Sequence, residues 1–268
     1  METNLLKYPI YIVSKGRWDN PITARMFMKE NIPFKIAVEP KEVNDYKKTI
    51  PGKNILALPF SNLGLGSYPA RNYCWEDSIK NGHQKHFIFD DNIYGFSFFN
   101  GGKRTKTSPM KPLVLLGNLS DLYVNVAITG YNYDMFITKN TQKAFTINYH
   151  VYSGMLINNK IPYRWRLKYN EDVDLCLQAL HSGYWCTISL NAFSIRKLST
   201  TAKMKGGNQT ELYKNNDPVK KILKAKSLEA VWPQYVRVIR KFKRPHHSVS
   251  WGIFFKHPLI KQWSKGAI

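Results

Sequence analysis

The chain has 268 residues, of which 43% are hydrophobic, and a formal net charge of +22. A chain of this length and composition can bury one substantial core, so we expect one main domain with at most a small appendage. The charge is far larger than solubility requires and predicts a polyanionic partner, either nucleic acid or an anionic membrane surface.

The cysteines and the apolar segments argue against two further classes of protein. Cys74, Cys176 and Cys186 are odd in number and lie within apolar, periodic segments, which argues against a disulfide framework and for a reducing compartment. No apolar stretch approaches the roughly 20 residues that span a bilayer, and the first residues lack the charge and the apolar core of a signal peptide. We therefore expect a soluble, cytosolic protein.

Strand and helix patterns alternate over the first third of the chain. Pro21 and Pro69 each suit the first turn of a helix, and Gly82 suits a helix end. In chain order, the predicted elements are a strand over Tyr8–Val13, a helix after Asn20, strands over Phe34–Val38 and Asn54–Leu58, a helix from Ser67 to Asn81, and a strand that begins at His86. This alternation predicts an α/β protein with a mainly parallel sheet, helices on both faces and a ligand at the carboxyl ends of the strands.

The strand that begins at His86 ends in Asp90, Asp91 and Asn92. An all-apolar run of this length is typical of a central strand, where carboxylates are tolerated only at the open carboxyl end. Paired carboxylates in such a cleft suit a hard cation, Mg²⁺ or Mn²⁺, and that cation suits a diphosphate. The alternative is a simple turn after a strand, because these residues readily hydrogen-bond their own backbone.

The middle of the chain changes character. Asn100–Pro112 is rich in Gly and Lys and has no periodicity, so we predict a long mobile loop beside the acidic strand. Beyond it, the predicted strands are Leu122–Ile128, Asp134–Thr138, Ala144–Ile147, Val151–Ile157 and Tyr184–Leu190. Residues 135–170 contain six Lys or Arg, seven aromatic residues and no acid. Interleaved cations and rings suit phosphates and unstacked bases, although core packing explains the rings equally well.

A second acidic cluster begins at Glu171, at the start of a helix predicted over Glu171–His181. Acidic residues are ordinary in a first helical turn, because the helix dipole favours them. Facing a metal–diphosphate cleft, however, a carboxylate here can accept a proton from an incoming hydroxyl. Asp172 is the first candidate for this base and Glu171 the second, whereas Asp174 should point elsewhere on the helix.

The carboxyl-terminal quarter carries most of the excess charge. From residue 196 to residue 268 there are 17 Lys or Arg and 3 Asp or Glu. We predict a main domain over residues 1–215 and a basic, helical extension over residues 216–268 packed on it.

Several short motifs, in order and spacing, resemble glycosyltransferases of the GT-A class. More closely, they resemble the phage glycosyltransferases that are encoded beside TET/JBP-like DNA dioxygenases. The enzymes of this group add sugars to 5-hydroxymethylpyrimidines in DNA. The resemblance covers roughly residues 8–210. Its motifs are residues 8–17, the turn 58–62, residues 66–72, Phe89–Asn92, Asn170–Asp172 and Gly206–Gln209.

The resemblance implies a GT-A, Rossmann-like fold and a UDP-sugar donor. It implies that Asp91, with Asp90, holds Mn²⁺ or Mg²⁺, although Asn92 stands where the class usually has a second acid. It also implies that Asp172 is the base. The residues expected around the donor are Ser14, Arg17, Glu39, Arg71, Asn72, Asp90, Lys205, Gly206 and Gly207.

The implied acceptor is the hydroxymethyl group of 5-hydroxymethylcytosine in double-stranded phage DNA, in the cytoplasm of an infected bacterium. Glucose is the first candidate sugar and arabinose the second. The residues expected to bind DNA are Lys103, Arg104, Lys106, Arg164, Trp165, Arg166, Lys241, Lys243 and Arg244. The alternatives are a metal-dependent nuclease, a transferase acting on protein or glycan, and a DNA-binding module without activity.

The histidines depart from the pattern of the class. Many relatives recruit a later histidine to the metal, yet none occurs between Tyr184 and Pro245. We expect His246 and His247 to contact phosphate or to have no role. We interpret His150 and His181 as structural residues.

Overall fold

A computed structural model describes residues 5–198, 206–207, 218–241 and 244–262. Within these residues, ten strands form one mixed sheet in the order β3-β2-β1-β4-β9-β7-β10-β5-β6, with β8 paired to β10. The strands are β1 (Ile10–Val13), β2 (Lys35–Val38), β3 (Ile55–Ala57), β4 (Lys85–Asp90), β5 (Ile93–Asn100), β6 (Lys103–Thr107), β7 (Val126–Tyr133), β8 (Phe145–Ile147), β9 (Gly154–Asn158) and β10 (Cys186–Lys197). The helices are α1 (Ile22–Lys29), α2 (Val43–Tyr46), α3 (Tyr68–Lys80), α4 (Met110–Asp121), α5 (Glu171–His181) and α6 (Pro218–Val231).

Most strands of the sheet run in one direction. The strands β1 to β4 are mutually parallel where they pair, and β7 runs parallel to β10. Because β9 is antiparallel to both β4 and β7, strands β1 to β4 run in the same direction as β7 and β10. The predicted α/β architecture with a mainly parallel sheet is therefore confirmed.

Alternating side chains of the central strands supply two hydrophobic layers. Tyr11 and Ile88 pack in the layer that contains residues of α3 and α5. Ile12 and Phe89 belong to the opposite layer, together with residues of α1 and α4. Since successive side chains of a strand point to opposite faces, apolar runs on β1 and β4 are what a sheet covered on both faces requires.

The prediction of a long loop over Asn100–Pro112 is wrong. Strands β5 and β6 form a hairpin whose turn is Gly101–Gly102, and α4 begins at Met110. Both glycines have positive φ, 55° and 77°, as a two-residue hairpin turn requires. The lysines that suggested a loop lie instead on an edge strand, where Lys is common because it discourages pairing with other chains.

Three further strand predictions need correction. The strand predicted over Leu122–Ile128 is β7, which begins at Val126 and continues to Tyr133. Residues 134–136 form a 3-10 turn rather than a strand, and Asp134 accepts hydrogen bonds there from Ser97 and Ser194. Strand β10 continues past the predicted end at Leu190 to Lys197. An irregularity in its pairing with β7 between Leu190 and Ser194 absorbs the polar residue Asn191, at which the prediction stopped.

The carboxyl-terminal segment packs on helix α5. After α6, strands β11 (Val236–Lys241) and β12 (Arg244–Val249) form an antiparallel hairpin. Trp232 Nε1 donates to Asp174 Oδ1 at 2.7 Å, and His181 Nδ1 lies 2.7 Å from the Tyr235 hydroxyl. The described extension is therefore part helix and part hairpin, and the predicted boundary at residue 215 lies outside the described residues.

His86 makes stability depend on pH. It is fully buried, with Nδ1 2.6 Å from Asn159 Oδ1, and burial lowers its pKa to about 4. Between about pH 4 and 6.5 the unfolded chain binds a proton that the folded chain does not, so stability from this residue rises with pH. We expect the free energy of unfolding of the wild type, measured in urea, to rise between about pH 4 and pH 6.5. The rise should exceed that of His86→Phe by about 3 kcal/mol. The same substitution at exposed His83 should not change the slope, and parallel curves for wild type and His86→Phe would contradict the prediction.

Candidate active site

A cavity of about 1010 Å³ opens at the carboxyl ends of the parallel strands. This edge is where open α/β sheets bind ligands, because loops diverge there from neighbouring strands. The strand ends that line it contribute Ser14 after β1, Glu39 after β2, Leu58 after β3, Asp90 of β4, Tyr133 of β7 and Lys197 of β10.

Asp90 is held between two cations. Arg71 Nη2 donates to Oδ1 at 2.5 Å, and Lys197 Nζ donates to Oδ2 at 2.6 Å. Burial alone would raise the pKa of Asp90, but Lys197 and Arg71 outweigh it and hold that pKa well below its usual range. Asp90 also raises the pKa of the Lys197 ammonium, although burial acts in the opposite direction. Both groups of this pair are therefore charged.

Asp91 is also fully engaged. It is 6% exposed, its Oδ1 is paired with Arg17, and its Oδ2 accepts a hydrogen bond from Ser14 Oγ at 2.6 Å. The Ser14 hydroxyl lies 2.6 Å from that of Tyr46. Burial raises the pKa of Asp91 even though Arg17 opposes the shift.

A divalent cation does not fit these carboxylates as they are arranged. Mg²⁺ and Mn²⁺ need several oxygen ligands, yet the four carboxylate oxygens of Asp90 and Asp91 already accept hydrogen bonds from Arg71, Lys197, Arg17 and Ser14. Within the described ranges, no group of three or more His, Cys, Asp or Glu side chains is arranged to hold a metal ion. The positive charge at this edge comes from the protein's own cations.

The two acids at the start of α5 have different environments. Glu171 Oε1 accepts a hydrogen bond from Ser67 Oγ at 2.8 Å and lies 3.6 Å from Arg71 Nε. Burial raises the pKa of Glu171 above its ordinary value despite Arg71. Asp172 Oδ1 accepts from the backbone N–H of Val173 at 2.9 Å. Both carboxylates line the cavity, whereas Asp174 points away into the contact with Trp232.

His150 contacts the Asp172 carboxylate. Its Nε2 lies 3.1 Å from Asp172 Oδ2, off the direction of a well-formed hydrogen bond, so the contact is an ion pair when the ring is protonated. Burial would raise the pKa of Asp172, but His150 and the Val173 N–H lower it well below its usual range. The ring of Trp251 lies parallel to that of His150, with 6.1 Å between the ring centroids, so the carboxyl-terminal extension packs beside His150.

Aromatic rings form the wall beside Asp172. Tyr152 lies 4.0 Å from His150, 4.4 Å from Tyr133 and 5.5 Å from Phe136, measured between ring centroids. Phe136 is 49% exposed at the cavity, so one face of this cluster is open to a ligand.

Glu39 lies on the opposite side of the cavity. Its Oε1 accepts from Lys15 Nζ at 2.6 Å, whereas its buried Oε2 accepts no hydrogen bond from the described residues and lies 3.4 Å from Lys41 Nζ. Gly206 closes this side against Lys15: a Cβ atom there would lie 2.4 Å from the Lys15 carbonyl oxygen, and φ is 82°. Gly207 also lines the cavity, and Lys205 lies outside the described residues.

Several predicted site residues lie elsewhere. Asn72 does not line the cavity; its amide donates to Trp165 O at 2.8 Å and accepts from Trp165 N at 3.1 Å. Trp165 is 1% exposed beneath the Arg71 guanidinium, so its ring is not accessible to a nucleic acid. Arg166 is paired with buried Asp174, and Arg164 with Glu76. The Trp165 ring therefore belongs to the core, and Asn72 is held on the Trp165 backbone, so the predictions that Trp165 binds DNA and that Asn72 binds the donor are wrong.

The other predicted DNA-binding residues that the structure describes are exposed. Lys103, Arg104 and Lys106 lie on edge strand β6, where Arg104 Nη2 donates to the backbone oxygens of Asp134 and Ile137. Lys241 and Arg244 lie on the hairpin β11–β12, and Lys243 falls outside the described residues.

Sequence reasoning missed Lys197, His150 and the position of His247. Lys197 is one of many lysines and follows the irregularity in β10, so no local pattern marks it. His150 lies on a loop, and only the fold brings it to Asp172. His246 and His247 both line the cavity, where burial lowers the pKa of His247 to about 4.

The sequence model of the TET-associated glycosyltransferases matches residues 8–207. This chain belongs to that family. As a TET-associated glycosyltransferase, it is an enzyme that transfers a sugar. Comparison with curated proteins gives no match.

Among solved structures, a protein from Desulfovibrio desulfuricans G20 described as a nucleotide-diphospho-sugar transferase is similar to this TET-associated glycosyltransferase. The likeness covers 65% of this chain and 76% of that chain, with 10% sequence identity and a TM-score of 0.36. No helix in the part of the chain that the structure describes is long and apolar enough to cross a membrane.

Proposed function

We propose that this enzyme moves a sugar from a UDP-sugar to the hydroxymethyl group of 5-hydroxymethylcytosine in double-stranded DNA, with glucose as the first candidate sugar. The observation that carries the proposal is that one cavity holds Arg71 and Lys197 together with an ionised Asp172. Cations suit a diphosphate leaving group, and a carboxylate suits deprotonation of an incoming hydroxyl.

The donor side of the cavity suits a nucleotide diphosphate. Gly66, Ser67 and Pro69 line it at the amino end of α3, where unpaired backbone N–H groups and the helix dipole favour anions. Buried Arg71 projects from the same turn. Beyond the phosphates, Oε2 of Glu39, which is paired with Lys41 at 3.4 Å, can accept a hydrogen bond from a ribose hydroxyl or a base N–H.

The acceptor reacts beside Asp172. The carboxylate takes the proton of the hydroxymethyl O–H while that oxygen attacks the anomeric carbon of the sugar. The bond from this carbon to the diphosphate oxygen breaks, and its electron pair leaves with UDP. Arg71 and Lys197 stabilise the charge that develops on the leaving phosphate.

The surroundings of the cavity suit DNA. The hydroxymethyl group of the acceptor base lies in the major groove, and an extruded base can stack on open aromatic rings such as Phe136. Exposed cations on β6 and on the hairpin β11–β12 suit the phosphate backbone. Such an enzyme meets its substrate in the cytoplasm of a cell that contains hydroxymethylated phage DNA.

Removing the Phe136 ring tests the acceptor side. Base–aromatic stacking contributes about 1–3 kcal/mol, so we expect Phe136→Ala to raise the KM for hydroxymethylated duplex by about tenfold or more. The affinity for UDP should not change, because the ring lies on the acceptor side. Met135→Ala is the matched control, since Met135 is 63% exposed and does not line the cavity. Equal KM values for the two variants would contradict this role.

The proposed reaction is tested by the mass of nucleosides released from DNA. Duplexes containing 5-hydroxymethylcytosine, 5-hydroxymethyluracil or neither are incubated with the enzyme and a panel of UDP-sugars. We expect a hexose or pentose increment only on a hydroxymethylated base. If the DNA is cleaved when no sugar donor is present, the result would favour the nuclease. If sugar is transferred only to protein or glycan, the proposal that DNA is the acceptor would be overturned.

A further inference from the structure

Lys197 is paired with Asp90, one of the two carboxylates that were expected to hold a metal ion. Its side chain is 13% exposed, and Nζ lies 2.6 Å from Asp90 Oδ2, 2.5 Å from Ser153 Oγ and 3.3 Å from the Tyr133 hydroxyl. A lysine ammonium has three N–H donors, so these oxygens satisfy all of them.

We propose that Lys197 is a built-in replacement for the divalent cation, so that UDP binds through its diphosphate without a metal. The proposal rests on the UDP-sugar donor proposed above. In this arrangement Asp90 holds two protein cations, Lys197 and Arg71, in place of one metal ion.

The carboxylates support this assignment. Each oxygen of Asp90 accepts a hydrogen bond from a different cation, and Asp91 is closed off by Arg17 and Ser14. A metal ion that bound Asp90 through both oxygens would have to displace Lys197 or Arg71 from that carboxylate. Such a displacement leaves an uncompensated charge in a buried site, which is costly.

Lys197 is also able to reach the donor. It lines the same cavity as Arg71 and the amino end of α3. Its contact with Tyr133 is the longest of the three, so a phosphate oxygen can replace the tyrosine hydroxyl while the bonds to Asp90 and Ser153 remain. Lysine is well suited to this role because it binds phosphate as a compact point charge.

Calorimetric titration of UDP into the full-length protein tests the proposal, in buffer with EDTA and in buffer with Mn²⁺. We expect UDP to bind in EDTA with nearly the affinity measured in Mn²⁺. In EDTA, Lys197→Met should weaken binding by about tenfold or more, and Lys197→Arg should retain most of it. Lys29→Met, at an exposed position at the end of α1, is the matched control.

The outcomes separate this inference from the proposed function. UDP binding that requires Mn²⁺ would overturn the inference and leave the proposed function intact. Equal binding by wild type and a folded Lys197→Met variant in EDTA would also overturn it. No UDP binding in either buffer would overturn the UDP-sugar donor, and the inference with it. The wild-type comparison decides the metal requirement even if Lys197→Met does not fold.

Discussion

In the Asp172→Asn variant, we expect glycosyl transfer to slow by about 100- to 10,000-fold, the usual contribution of a general base. The amide keeps the shape of the side chain but accepts a proton far less readily. Because the pKa of Asp172 lies below its ordinary value, the wild-type base is ionised throughout the range above about pH 4. The measurement is a single-turnover rate on hydroxymethylated duplex, with UDP affinity as a control that should not change.

Glu171→Gln is the matched comparison for this variant. The Glu171 carboxylate is turned towards Ser67 and Arg71, so its contacts lie on the donor side of the cavity. We therefore expect Glu171→Gln to lose much less activity, through altered support of Arg71. Near-normal transfer by Asp172→Asn together with an inactive Glu171→Gln would assign the base to Glu171 instead.

The second large effect is on stability. Asp174 has no exposed surface and accepts hydrogen bonds from Arg166, Gln178 Nε2 at 2.8 Å and Trp232 Nε1 at 2.7 Å. Asp174→Asn preserves the volume but removes the charge and turns one N–H towards these donors. We expect the free energy of unfolding to fall by about 3 kcal/mol, because hydrogen bonds to a charged acceptor are lost and a buried donor is left without a partner.

Urea denaturation followed by tryptophan fluorescence measures this loss. Glu76→Gln is the control, because Glu76 is 58% exposed in its pair with Arg164 and surface pairs contribute about 0–1 kcal/mol. Since Trp232 joins the extension to α5, Asp174→Asn should also lower the rate of transfer. Equal stability of Asp174→Asn and Glu76→Gln would contradict the structural role of the contact between Asp174 and Trp232.

The strong periodic elements were predictable from the sequence. The strand before Asp90 and the helix from Glu171 to His181 are as predicted, because an apolar run between turn residues and a 3.6-residue apolar period leave few alternatives. The convergence of Asp90 and Asp172 on one cavity also agrees with the expectation for a parallel sheet edge.

The features that the sequence did not predict depend on contacts between residues that are distant in sequence. Gly101–Gly102 was interpreted as part of a loop, although the same pair also suits a hairpin turn. Whether the Trp165 ring is exposed depends on Arg71, which covers it from helix α3. The expected metal ligands could be recognised in the sequence, but the cation that pairs with Asp90 comes from Lys197, 107 residues later.

The central claim is that donor and base share the cavity at the carboxyl edge of the sheet, and a crystal structure with UDP tests it most directly. The account predicts UDP in this cavity, with its diphosphate within hydrogen-bond distance of Lys197 and Arg71 and its nucleoside towards Glu39. Asp172 should face the space beyond the β-phosphate. UDP bound elsewhere on the protein, or in the cavity without contact to either cation, would contradict the account.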